Sequence, residues 1–125
     1  WLKKGSLPQN GSAVGEGWEF HQTIVTLLQR SSHAYYHFLC ETVPKVVLLY
    51  HDMEAHPEAK ILVDTSFGNT WSIEILRLLG IDPQRVVERR EGVAYHGGTV
   101  IFARPTPLHT PYPHLLASAA AELRV

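Results

Sequence analysis

His37, Glu41 and Lys45 recur every four residues within the stretch Ser31-Ser32-His33-Ala34-Tyr35-Tyr36-His37-Phe38-Leu39-Cys40-Glu41-Thr42-Val43-Pro44-Lys45. In a helix that spacing lays the three along one stripe. An imidazole within reach of a carboxylate is the simplest way to hold a general base. A helix built only for a core would carry Leu and Ala at these places. The competing reading is an i, i+4 pair on a helix surface, with little chemical consequence. Tyr35 and Tyr36 beside it, and a position just after a strand, favour a ligand-facing helix N-terminus.

Other residues carry weaker chemical signals. Asp64 with Ser66 closes a buried apolar run, a favoured place for functional groups in α/β folds, although an Asx turn explains the pair equally well. Asp64-Thr65-Ser66 lacks the second aspartate that an aspartyl-phosphate enzyme needs two residues on. His33 and His37 are spaced as a zinc pair, but no third ligand follows and Cys40 falls off their stripe. The chain contains no Asp-x-Asp, so the usual carboxylate clamp for a divalent metal diphosphate is missing and no metal is expected. There is no Gly-x-Gly-x-x-Gly, no P-loop and no nucleophile-elbow motif, which counts against a small hydrolase. Gly97-Gly98 reads as a turn before a strand. Arg85 with Arg89-Arg90 forms a small basic cluster, of a kind that is most often solvated loop.

Composition bounds the rest. The 125 residues are 45% hydrophobic and 18% charged with a formal net charge of -1, ordinary for one globular domain. That charge gives no reason to expect nucleic acid or an anionic membrane as partner. Eight histidines make proton exchange near neutral pH plausible, and the single Cys40 reads as a buried thiol. No run approaches a membrane span. A start at Trp1 and an end inside an Ala-rich helical pattern suggest a piece of a longer polypeptide, and leave localisation open.

Residues 1–17, rich in Gly and Ser, read as a loop or linker, and residues 18–125 as the folded unit. Thr23 to Leu28 reads as a buried strand, followed by a helix over about 33–52 capped by Ser31 or Ser32, with an apolar face of Phe38, Leu39, Val43, Val46, Val47 and Tyr50. Pro44 inside it removes one backbone donor and frees the Cys40 carbonyl, which predicts a kink. A strand over Lys60 to Asp64, a helix over Trp71 to Leu79 stopped by Gly80 and capped by Asn69 or Thr70, and strands at Arg85-Val86-Val87 and Gly98 to Ala103 complete the pattern. A proline-rich loop from Pro105 and a last helix near Pro113 follow. The alternation predicts an open, mostly parallel α/β sheet. Its ligand site belongs beyond the strand ends, at Arg30 to His37, Asp64 to Thr70 and Arg104 to His109.

Tyr35-Tyr36-His37 through Glu41 to Pro44-Lys45 resembles the opening motif of glycosyltransferase family 61. That family shows Asn-Tyr-Tyr-His, an acidic residue four positions on, then Leu-Pro-Arg. The resemblance continues in order through Ile61 to Ser66, Leu78-Leu79-Gly80-Ile81, Pro83-Gln84-Arg85-Val86-Val87 and Val100 to Pro107, about Thr23 to Pro113 in all. His33 or Ala34 stands where the family has asparagine, and Lys45 stands for arginine. The resemblance implies a Rossmann-like first half of a GT-B glycosyltransferase, with the nucleotide-sugar held mainly by a second half outside this sequence. It implies inverting, metal-independent transfer from a UDP-sugar donor to a glycan or glycoprotein acceptor. His37, oriented by Glu41, is then the candidate base and Asp64 the second; Tyr35, Tyr36 and Ser66 are candidate acceptor contacts. Family members in eukaryotes work in the Golgi or endoplasmic reticulum lumen. The alternative from another class is a non-catalytic α/β interaction module or an inactive fragment.

Overall fold

The computed structural model describes residues 11–103. Five strands form one open sheet: β1 (Ser12–Gly15), β2 (Trp18–Thr26), β3 (Lys60–Val63), β4 (Val86–Glu88) and β5 (Ala94–Ile101). β2 is the centre. β5 runs parallel along one edge of it from Trp18 to Val25. On the other side β1 pairs antiparallel with Trp18 to His21, and β3 pairs parallel with Ile24 to Thr26. β4 extends the sheet beyond β3, also parallel. The parallel strands therefore lie in the lateral order β4-β3-β2-β5, as the alternating sequence predicts for a mixed α/β sheet.

Three strand expectations need correction. Ser12–Gly15 is a strand rather than linker, turned back onto β2 through Glu16-Gly17 with Gly17 at φ 70°. Its small residues carry no strand signal of their own; pairing with Trp18 to His21 decides it. β2 starts at Trp18, five residues before the predicted strand. Gly97-Gly98 is not a turn but the middle of β5. A Cβ on Gly98 would stand 2.8 Å from the Gln22 carbonyl oxygen, so glycine is there to let the strand backbones approach.

The long helical segment is built in three parts: α1 (Tyr35–His37), a π-helical turn (Phe38–Thr42) and α2 (Val43–Ala55). Pro44 has no N–H for the Cys40 carbonyl, and the Val43 amide reaches back to the Phe38 carbonyl instead. The predicted kink is thus a π turn, which inserts one residue into the helical phase. As a result the buried face of α2 runs Val43, Val46, Leu49 and Met53, while Tyr50 is partly exposed. Neither Ser31 nor Ser32 caps the helix by side chain; the N-cap is Ala34, and Ser31 sits at φ 63° in the turn before it.

α3 (Trp71–Leu78) ends as expected at Gly80, whose φ of 89° suits glycine. The amide of Ile81 donates to the Leu76 carbonyl and that of Gly80 to the Arg77 carbonyl, a Schellman closure whose two apolar residues, Leu76 and Ile81, are both buried. At its start the Asn69 carboxamide accepts from the Ser72 amide. Arg85 leaves the basic cluster altogether. Its guanidinium donates to the carbonyls of Met53, His56 and Ala59, and so closes the C-terminal end of α2.

The main core lies where α2 and α3 meet one sheet face. Val25, Leu27, Ile61 and Val63 pack there against Phe38, Val43, Val46, Leu49, Met53 and Leu76. Each such side chain contributes about 1.5–3 kcal/mol by leaving water. Phe20, Ile24 and Leu62 are buried on the opposite face. The expected loop from Pro105, the segment Arg104 to His109 and the helix near Pro113 lie outside the described residues.

Candidate active site

β2 and β3 end side by side, and the chain leaving each one builds a shared groove. Gln29, Arg30, Ser31 and His33 come from the segment after β2, Asp64 from the end of β3 and Arg89 from the end of β4. The groove has a volume of about 430 Å³. Its place beyond the carboxyl ends of parallel strands is where open α/β sheets hold ligands.

At the groove, His33 Nδ1 stands 3.7 Å from Asp64 Oδ2, with the imidazole side chain 34% exposed. Three neighbours fix this pair. The Asn69 amide donates to the His33 carbonyl at 2.7 Å, and the Phe67 ring packs against the imidazole with centroids 5.0 Å apart. Asp64 Oδ1 accepts from the Ser66 amide at 2.9 Å and also from the Ser66 hydroxyl. Burial pushes the Asp64 carboxyl up. The two Ser66 bonds and the nearby charges of His33 and Arg89 outweigh it and hold the group below the usual aspartate value. The expected Asx turn thus forms, and its carboxylate lies at the groove wall.

Behind the groove lies the helical stripe. His37 Nδ1 is 3.3 Å from Glu41 Oε1, so the predicted imidazole–carboxylate pair does form across the π turn. Its setting differs from a surface pair. The Glu41 side chain is 1% exposed, and its second oxygen accepts from Gln29 Nε2 at 2.5 Å. Lys45, the third member of the stripe, is also buried. Burial lowers the pKa of its ammonium, and the Glu41 charge opposes that shift. Gln29 therefore joins the two parts: it lines the groove and holds the buried carboxylate.

Tyr35 and Tyr36 are both more than half exposed. Tyr35 meets Trp71 edge-on at 4.8 Å, and Tyr36 meets the His37 ring at 5.5 Å. Of the residues expected from the sequence, His37 and Glu41 come together, and so do Asp64 and Ser66. What joins them is Gln29 and His33. From the sequence, His33 lies in the expected ligand segment Arg30 to His37 and is spaced as a metal pair with His37; among the described residues no group of three or more His, Cys, Asp or Glu side chains is placed to hold a metal ion. Gln29 carried no sequence signal, because an amide at the end of a strand is ordinary until its partner is known.

Set against models of known protein families, curated proteins and solved structures, this chain matches none of them. Among the described residues no helix is long and apolar enough to cross a membrane.

Proposed function

We propose that this chain is the acceptor-binding half of an inverting, metal-independent glycosyltransferase of the GT-B kind, similar to family 61. The observation that carries the reading is the His33–Asp64 pair at the mouth of a groove beyond the ends of β2 and β3, with the His37–Glu41–Gln29 group directly behind it. An open, mostly parallel sheet with lateral order β4-β3-β2-β5 supports an α/β reading of this kind.

Inversion needs one base to take the acceptor hydroxyl proton as its oxygen attacks the anomeric carbon of the donor sugar. The sequence places His37 first and Asp64 second as base; we instead give that role to His33, which lines the groove beside Asp64. Asp64 and His33 meet the acceptor, Asp64 orienting the imidazole that takes the proton. Glu41, with His37 beside it, holds Gln29 and with it the groove wall. The exposed faces of Tyr35 and Tyr36 offer platforms for a sugar ring. The UDP-sugar is held mainly by a second α/β half.

Nuclear magnetic resonance titration tests this. Oligosaccharide acceptors should shift the signals of Ser31, His33 and Asp64, whereas UDP-GlcNAc or UDP-xylose should leave them in place. In a protein joining both halves, His33→Ala should lower transfer by about a hundredfold or more. UDP-sugar occupying this groove in competition with glycan, or full transfer by His33→Ala, overturns the assignment.

A further inference from the structure

At the opposite end of β2, three polar side chains lie in line. Ser12 Oγ is 2.6 Å from His21 Nδ1, and His21 Nε2 is 2.6 Å from Glu19 Oε1. The second Glu19 oxygen accepts from the Arg90 guanidinium at 3.0 Å. Glu19 and His21 are both buried, whereas Ser12 is exposed on the edge strand β1. The register produces the alignment. Ser12 stands directly opposite His21, and Glu19 lies two residues from His21 on the same face of β2.

From this geometry we propose a second active centre, a Ser12–His21–Glu19 triad that cleaves carboxylic esters. It is independent of the sugar-transfer reading and uses none of the same residues. Glu19 takes the Nε2–H hydrogen bond, which leaves Nδ1 as the acceptor for the Ser12 hydroxyl. Arg90 binds the other carboxylate oxygen and keeps Glu19 in place. The ring nitrogens are used in the reverse sense from the usual serine hydrolase, but each part has its role: nucleophile, base and orienting acid group.

An oxyanion donor is also present. The Gln22 amide donates to the Gly11 carbonyl, so Gly11 and Gln22 form a hydrogen-bonded pair. Ser12 and His21 are then a non-hydrogen-bonded pair, with side chains close and the Ser12 N–H turned away from β2. The nucleophile's own amide is a standard donor to a tetrahedral intermediate. With one such donor on an open strand edge, the chemistry suits esters, whose alkoxide leaves more readily than an amide nitrogen.

Ser12 Oγ bonds to the carbonyl carbon as its proton moves to His21 Nδ1, and the carbonyl electron pair moves onto oxygen. Collapse breaks the bond to the alcohol oxygen, which takes the proton from His21. Water, deprotonated by the same nitrogen, then attacks the acyl-serine and releases the carboxylic acid, returning the proton to Ser12.

The test uses the whole chain, a fluorophosphonate probe and p-nitrophenyl acetate. Mass spectrometry should place the phosphonate on Ser12, and Ser12→Ala should lose both label and hydrolysis while keeping its circular dichroism. The labelling rate of the unaltered protein should fall in acid, where a protonated imidazole cannot act as base. His21→Gln should slow labelling by about a hundredfold or more. No label, a label elsewhere, a rate indifferent to pH, or undiminished hydrolysis by Ser12→Ala overturns the proposal. The pH profile needs no variant, so an unfolded His21→Gln does not remove the test.

Discussion

His37–Glu41 and His33–Asp64 are both imidazole–carboxylate pairs, but they stand in different media. Glu41 is enclosed, with Gln29 on one oxygen, His37 near the other and Lys45 below it on the same helix. Asp64 is reached by Ser66 and His33 at the wall of an open groove. In a low-dielectric interior a carboxylate is held only by its partners, and losing one of them is costly. At a groove, water replaces a lost partner cheaply, and the group remains available to a ligand. The same pair of residue types is thus enclosed in one place and open to a groove in the other.

The sharpest way to break this comparison is Glu41→Ala. It leaves Lys45 buried without its counter-charge and should cost about 3–5 kcal/mol of stability in urea denaturation. A loss below about 1 kcal/mol would mean that Glu41 and Lys45 are wetter than their burial indicates. Next is Lys45 itself. Its folded pKa lies below the ordinary lysine value, so between the two the unfolded chain binds the extra proton. Stability should therefore rise with pH from the folded pKa up to about 10.4, and this rise should vanish in Lys45→Met.

Effects at the groove are smaller. Asp64 has a depressed folded pKa, so its contribution is present above the ordinary aspartate value, about 3.9, and is lost as pH falls through the folded pKa. Ser66→Ala removes the hydroxyl bond that lowers it. This should cost about 1 kcal/mol at neutral pH and flatten the acid limb of the stability profile. His33→Ala should change stability least, by about 0.5 kcal/mol, because its side chain is partly exposed. If the unfolding midpoint moved as far for His33→Ala as for Glu41→Ala, the contrast between the two pairs would be gone.

Legibility from sequence followed the range of the interactions. The Gly80 stop, the α3 start and the apolar strands β3 and β4 rest on local chemistry and were readable. The His37–Glu41 contact was readable too, since helical spacing alone nearly determines it. Gln29 with Glu41, His33 with Asp64, and Ser12 with His21 are separated by 12 residues, by a helix and a strand, or by a hairpin whose first strand gave no signal. Arg85 looked like part of a basic loop and turned out to close a helix 26–32 residues away.

By itself the chain determined an alternating α/β order, the proline-induced break in its long helix and a histidine–carboxylate stripe. These follow from backbone sterics and from spacing along a helix. Only the tertiary structure decided which carboxylate is enclosed and which faces the groove. That depends on the π turn that shifts the helix by one residue and on β2 lying between β3 and β5. Burial is a property of what packs around a side chain, and spacing along the chain carries almost none of it.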